Sequence, residues 1–147
     1  MSQVRRVSPA EASELVASGG YLYLDVRTVP EFEAGHPRGA HNVPFAHAGP
    51  AGMVPNPDFL PVIEARFPRD EKIIVGCAAG QRSLAAAERL IAAGYTDVID
   101  QRAGFSGVRD PFGAVTEPGW QRAGLPTATA AETGRSFAEL LPSTRGT

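Results

Sequence analysis

The stretch that most constrains this chain runs from Lys72 to Gly94. Lys72-Ile73-Ile74-Val75-Gly76 is an almost continuous apolar run with the length and β-branched character of a buried strand in a sheet covered on both faces. Cys77 to Arg82 leaves room only for a tight loop. From Ser83 to Ala93 the apolar residues Leu84, Ala87, Leu90 and Ile91 recur at helical spacing, and Gly94 stands where a helix favours glycine after its C-cap. The segment therefore predicts strand, loop and helix in immediate succession.

The same segment carries chemistry. Cys77 is the only cysteine, which excludes an internal disulfide and every cysteine-rich zinc pattern. Residue type alone favours an inert buried thiol. Its neighbours argue the other way, because a core cysteine has no need of Gly80 and Arg82 after it. Gly80 lets the loop turn back on itself, so that the N–H groups from Ala78 to Ser83 converge on the sulfur. The helix start near Ser83 adds a partial positive charge and Arg82 a full one, and both favour a thiolate. Ala78 and Ala79 are small enough to leave the mouth of the loop open.

The rest of the chain alternates short strands with helices, which predicts an α/β fold with a mainly parallel sheet. Val4 to Val7 reads as an edge strand. Ser8-Pro9-Ala10-Glu11 is a capping box that opens a helix ending at Gly19-Gly20. Tyr21 to Arg27 is a buried strand with Asp25 at its C-terminal end, where open α/β sheets bind ligands, so Asp25 and Cys77 are expected to face one crevice. Thr28 to Ala34 suits one or two helical turns, and Gly39 to Pro44 a short strand. Residues 45–57 read as a loop that Asn56-Pro57 closes as cap and first turn of a helix reaching Phe67, with Pro61 near that helix's start. Asp97 to Asp100 is a further strand. Residues 103–120 show no helical or strand period and read as a structured loop in which Phe105, Phe112 and Trp120 form a satellite core. Residues 127–147 read as a tail beyond a domain of residues 1–126, with a short helix at Ser136 to Leu141 whose Phe137 and Leu140 dock on the body or across a dimer.

A chain of 147 residues supports one real core. The net charge of -2, with both signs dispersed, gives no basic stripe for nucleic acid and no polybasic run for a membrane surface. No stretch has the length of a bilayer span and residues 1–20 lack the apolar run of a signal peptide, so a cytoplasmic setting is expected. His36, His41 and His47 have no nearby cysteine or paired carboxylates, so no metal site is expected.

Two separated blocks of residues carry a resemblance. The first comprises Asp25-Val26-Arg27, Glu31-Phe32, Gly35-His36, Gly39-Ala40 and Asn42-Val43-Pro44; the second is Cys77-Ala78-Ala79-Gly80-Gln81-Arg82-Ser83. In order and spacing these resemble the rhodanese family of sulfurtransferases, in its single-domain form, over about residues 4–126. The resemblance implies a rhodanese-like α/β fold, its central sheet flanked by helices on both faces. It implies that Cys77 takes sulfane sulfur from thiosulfate or a similar donor as a persulfide and passes it to cyanide, a small thiol or a protein thiol, with no cofactor. Arg82, Gln81, Ala78, Ala79, Gly80 and Ser83 would bind the donor. Relatives that handle phosphate separate Cys from Arg by five residues, whereas here four intervene, Ala78 to Gln81, so a phosphatase or arsenate reductase is the weaker reading.

Other readings of the same residues stay open. Cys77 could serve a persulfide carrier or regulatory binding module that does not turn over thiosulfate. Arg82 could be a helix-start residue held by a surface carboxylate. Asp25 and Arg27 read equally as fold-holding and as substrate groups, with an Arg27–Glu31 pair expected in the first case. His36 is expected to be structural. Oligomeric state is not fixed by the sequence.

Overall fold

β-branched and aromatic runs separated by capped helices leave each strand one way to hide both faces, inside a parallel sheet with helices above and below. The computed structural model describes residues 4–132 and 134–141 and shows this arrangement. In chain order the elements begin with β1 (Arg5–Val7), α1 (Pro9–Ser18), β2 (Leu22–Asp25), α2 (Val29–Ala34), β3 (His36–Pro37) and β4 (His41–Asn42). There follow β5 (Ala46–Gly49), β6 (Gly52–Pro55), α3 (Phe59–Arg66), β7 (Ile73–Gly76) and α4 (Gln81–Ala92). The last are β8 (Val98–Gln101), β9 (Val108–Arg109), β10 (Val115–Glu117), β11 (Thr127–Ala128) and α5 (Phe137–Leu140).

The central sheet runs β1-β8-β7-β2-β4, all parallel, so β7 lies in the middle. Alternation along β7 splits the core. Ile73 and Val75 face Val62 and Ile63 of α3, Ala87 and Leu90 of α4, and Leu140. Ile74 faces the other way, into a cluster with Ala12 of α1, Phe32 of α2, Phe105 and Trp120. Helices thus cover both faces, as the sequence predicts.

The capping boxes form. Ser8 Oγ accepts the N–H of Glu11 and the Glu11 carboxylate accepts that of Ser8, at 3.2 and 3.1 Å. Thr28 and Glu31 repeat the device at α2. Each cap is worth about 1 kcal/mol.

Several expectations are corrected. Residues 45–57 are not a loop, because Ala46–Gly49 and Gly52–Pro55 pair as an antiparallel hairpin. Asn56 does not cap α3. Its side chain accepts the N–H of Asp58 and donates to Pro44 O, which ties the hairpin base to the edge of the sheet. Within 103–120, β9 and β10 form a second hairpin with Phe112 near its tip, 94% exposed, so Phe112 does not join Phe105 and Trp120 in the core. α4 begins at Gln81 rather than Ser83, and its buried face is Ser83, Ala86, Ala87 and Leu90; Leu84 lies outside it. Small residues suit that face because α4 sits close against the sheet.

The chain past residue 126 is woven into this body. β11 pairs antiparallel with β3, Arg135 donates to Gly39 O, and Leu140 is 2% exposed in the main core. Arg66 of α3 donates to the carbonyls of Glu139 and Leu140 at 2.8 and 3.2 Å. Residues 142–147 of the expected tail lie outside the described residues.

Candidate active site

β7 and β2 end side by side, with Gly76 in register with Asp25. The next residue, Cys77, is therefore delivered to the carboxyl end of the sheet at its centre, where two parallel neighbours, β2 and β8, fix its position. The loop then turns at Gly80, whose φ of +96° is left-handed. Only glycine suits this turn, because an added Cβ would also run into the carbonyl of Arg102. α4 starts at once, and its first turn faces the loop.

Cys77 is 2% exposed. Its sulfur accepts the N–H of Gly80 at 3.1 Å and lies 3.4 Å from Ser83 Oγ. Of the N–H groups from Ala78 to Ser83 expected to converge on the sulfur, that of Gly80 is the one shown bonding it among the described residues. The back of the loop is clamped by the turn after β8: Phe105 N–H donates to Cys77 O at 2.7 Å and Ser106 N–H to Ala78 O at 2.9 Å. Gln101 shapes that turn, accepting the N–H groups of Ala103 and Gly104 and donating to Gly104 O. Ala78 is half-buried and Ala79 and Gln81 are exposed, so this side of the loop meets solvent. A groove of about 280 Å³ runs along it, bordered by Ala79, Gly80, Gln81, Arg6 and Arg102.

Arg82 is held by a carboxylate. Its guanidinium donates to both oxygens of Glu31 at 2.8 and 3.1 Å. Glu31 also accepts from the backbone N–H and hydroxyl of Thr28, so the α2 cap aims it across the mouth of the loop. Burial pushes the Glu31 carboxyl up, but Arg82 and Thr28 outweigh it and hold it down at about 2. The expected Arg27–Glu31 pair does not form. Arg27 is buried and turns back on Asp25, with Nη2 to Oδ2 at 2.7 Å, gives a second bond of 2.6 Å to Gly35 O, and stacks over Phe105. Asn42 of β4 fastens this pair by donating to the carbonyls of Asp25 and Arg27. Asp25 and Arg27 thus stand beside Cys77, with these hydrogen bonds spent on each other and on backbone. His36 is buried against Phe32, its Nδ1 2.7 Å from Phe32 O.

Two groups near the sulfur are not singled out by the sequence reading. Glu31 is named there only within the first block of residues and as the expected partner of Arg27, not of Arg82. Asp100, at the end of β8, is fully buried and paired with Arg6 of β1 at 2.7 Å. Its signal was available: it closes a parallel strand next to the cysteine strand, and ligand sites gather at such ends.

These features meet in a known pattern. The profile described as "Rhodanese-like domain" matches residues 8–110. The chain belongs to the rhodanese-like domain family. It is 41% identical over 131 residues to "Thiosulfate sulfurtransferase 16, chloroplastic" of Arabidopsis thaliana, covering 86% of this chain and 98% of that one. It is 43% identical over 97 residues to "Senescence-associated protein DIN1" of Raphanus sativus, covering 66% of this chain but only 53%, about half, of that relative's length. Among solved structures, Rv0390 from M. tuberculosis superposes with a TM-score of 0.72 at 31% identity, over 88% of this chain and all of the other. The rhodanese-like fold expected from the sequence is therefore shown, and one of these relatives is itself named a thiosulfate sulfurtransferase.

Proposed function

We propose that this rhodanese-like domain is a thiosulfate-type sulfurtransferase that works through a persulfide on Cys77. The observation that carries the reading is the Gly80 N–H pointed at the Cys77 sulfur from a short loop at a helix start. A donor placed there stabilises anionic sulfur without any acid or base of its own.

In the first half-reaction the Cys77 thiolate attacks the outer sulfur of thiosulfate. The S–S bond of the donor breaks, its electron pair leaves with sulfite, and Cys77 keeps one extra sulfur. In the second half-reaction cyanide or a thiol attacks that sulfur and Cys77 leaves as thiolate. This is covalent catalysis in two steps, with ping-pong kinetics as its signature. Arg82 binds the donor's anionic end after leaving Glu31, and the backbone of Ala78 to Ser83 lines the path. The four-residue spacing between Cys77 and Arg82 supports sulfur over phosphate or arsenate.

A second reading has its own observation. Arg82 is already neutralised by Glu31, which reduces the positive charge offered to thiosulfate and suits a persulfide carrier fed by a protein thiol. Intact mass after incubation with thiosulfate tests the main reading. Wild type gains one sulfur atom that cyanide removes, Cys77→Ser gains none, and steady-state thiocyanate production accompanies the gain. Absence of both gain and turnover, with sulfur still accepted from a protein persulfide, would leave the carrier reading standing and sink the enzyme.

A further inference from the structure

The arginines that border the cysteine loop are already spent on carboxylates. Arg82 is paired with Glu31 at 2.8 Å, Arg6 with Asp100 at 2.7 Å and Arg102 with Glu117 at 2.8 Å. Two others close by are not. Arg109 of β9 and Arg122, in the turn after Trp120, line a cavity of about 440 Å³ together with Phe105, Ser106 and Gln121. Among the described residues the Arg109 guanidinium donates only to Gly113 O, at 2.9 Å, and Arg122 has no hydrogen bond or ion pair. The lining holds no carboxylate. Asp110, next to Arg109, instead accepts the N–H groups of Phe112 and Ala114 within its own hairpin.

Backbone bonds fix where this cavity lies. Phe105 and Ser106 on its lining are the pair whose N–H groups donate to Cys77 O and Ala78 O, so it abuts the cysteine loop at the carboxyl end of the sheet. The segment carrying Gln121 and Arg122 is tied to the same floor, with Gln121 N–H on Phe105 O at 3.3 Å and Trp120 N–H on Gly104 O at 2.8 Å. Gly119 packs against Gly107 and Phe105 too closely for any side chain, and the Trp120 indole N–H is anchored on Pro126 O at 2.7 Å. Arg109 comes from the other wall, the β9–β10 hairpin. Two guanidiniums from separate, braced elements thus line one opening.

Two uncompensated positive groups beside an amide and a hydroxyl make a site for carboxylates, which guanidinium binds in its fork geometry. The volume is that of a small-molecule site and far exceeds what cyanide or thiosulfate would fill. We propose that this cavity selects the acceptor of the second half-reaction, a small thiol carrying carboxylates that Arg109 and Arg122 hold beside the loaded Cys77. The inference rests on the persulfide reading above. In the step, the acceptor thiol first loses its proton to solvent and its thiolate attacks the outer sulfur. The S–S bond to Cys77 breaks, Cys77 keeps the electron pair as thiolate, and the acceptor departs as a persulfide. No further oxidant or reductant is needed.

The test loads Cys77 with inorganic polysulfide, so that it does not depend on thiosulfate turnover. Loss of the extra sulfur is then followed by intact mass after mixing with glutathione, which carries carboxylates, or with glutathione diethyl ester, which has the same thiol and no carboxylate. The readout is the ratio of the two second-order rate constants. Wild type is expected to favour glutathione, by a margin that shrinks with added salt. Arg122→Gln should lower the ratio about fivefold, the upper end for an exposed charge pair, and Arg122→Glu should lower it further. Arg109→Gln should act like Arg122→Gln, with thermal melts to check the hairpin that Arg109 braces; Arg122 has no such bond, so its variants decide if Arg109→Gln does not fold. Arg69→Gln removes the same charge before β7, at the opposite end of the sheet, and should leave the ratio alone. A ratio that Arg122→Gln does not change, or that Arg69→Gln lowers as much, overturns the proposal. Transfer to a protein thiol but not to glutathione overturns it too. Absence of thiosulfate turnover alone would remove the enzyme reading and not this one, whereas failure of Cys77 to load from polysulfide would remove both.

Discussion

Releasing Arg82 from Glu31 is the sharpest test of how this site would hold an anionic donor. The pair is bidentate, and the two side chains are 21% and 34% exposed, so it is neither buried nor freely solvated. At an effective dielectric constant near 20 the gross attraction is about 4 kcal/mol. Desolvation and side-chain entropy reduce the net value of such pairs to about 1 kcal/mol. Arg82 must give up that amount to meet thiosulfate. Glu31→Gln removes the charge, keeps an acceptor for the Thr28 N–H, and preserves the capping box, which accepts Gln as readily as Glu. We expect KM for thiosulfate to fall by about fivefold, the equivalent of 1 kcal/mol, with kcat unchanged. The assay is steady-state thiocyanate formation at fixed cyanide, repeated across a salt series, where screening should shrink the difference between variant and wild type. A KM that stays level or rises in Glu31→Gln would refute the idea that Arg82 leaves Glu31 to bind the donor.

Acid should weaken the fold in two windows. Burial, aided by Arg135, holds His41 down at about 4 against an ordinary 6.5, so the unfolded chain binds the extra proton first and stability is lost as pH falls from 6.5 towards 4. The loss is about 2 kcal/mol after allowing for partial exposure, measured by urea unfolding, and His41→Gln should flatten that part of the curve. Glu31 acts in the lower window: its depressed carboxyl stabilises the fold above 4.5, and about 1 kcal/mol disappears as pH falls from there towards 2. Leu140→Ala should cost about 3 kcal/mol in the same unfolding experiment, since Leu140 is 2% exposed in the main core; a cost below 1 would mean that the C-terminal helix is not part of that core. Gly80→Ala should destabilise by at least about 2 kcal/mol and abolish the mass gain with thiosulfate, because a side chain there meets both an unfavourable φ and the Arg102 carbonyl. Unchanged melting would refute the strained turn.

Much of the architecture was legible because it rests on local rules. The apolar run Lys72 to Gly76 could only be a doubly covered strand, and the capping box at Ser8 marked a helix start that the structure reproduces. The hairpin at 46–55 was not legible, since its residues are Pro-, Gly- and Ala-rich with no alternating pattern, and β6 is exposed along its whole length. Only Ala46 is buried there, so no period was required. The C-terminal segment was legible in part: the short helix near Ser136 to Leu141 and its docking residues Phe137 and Leu140 were expected, whereas the pairing of β11 with β3 and the seat beside α3 depend on distant residues.

The same division runs through the site. The sequence by itself determined the lone thiol, the glycine that lets its loop turn, the spacing to Arg82 and the helix that follows, because all of these lie within a few residues and obey backbone sterics. Tertiary structure decided which partners those groups face. Arg82 meets Glu31, which is 51 positions away. Arg27 turns to Asp25 instead of Glu31, and Asp100 meets Arg6 only because β8 pairs with β1. Charge pairing depends on distance in space, and no local pattern records which strands become neighbours.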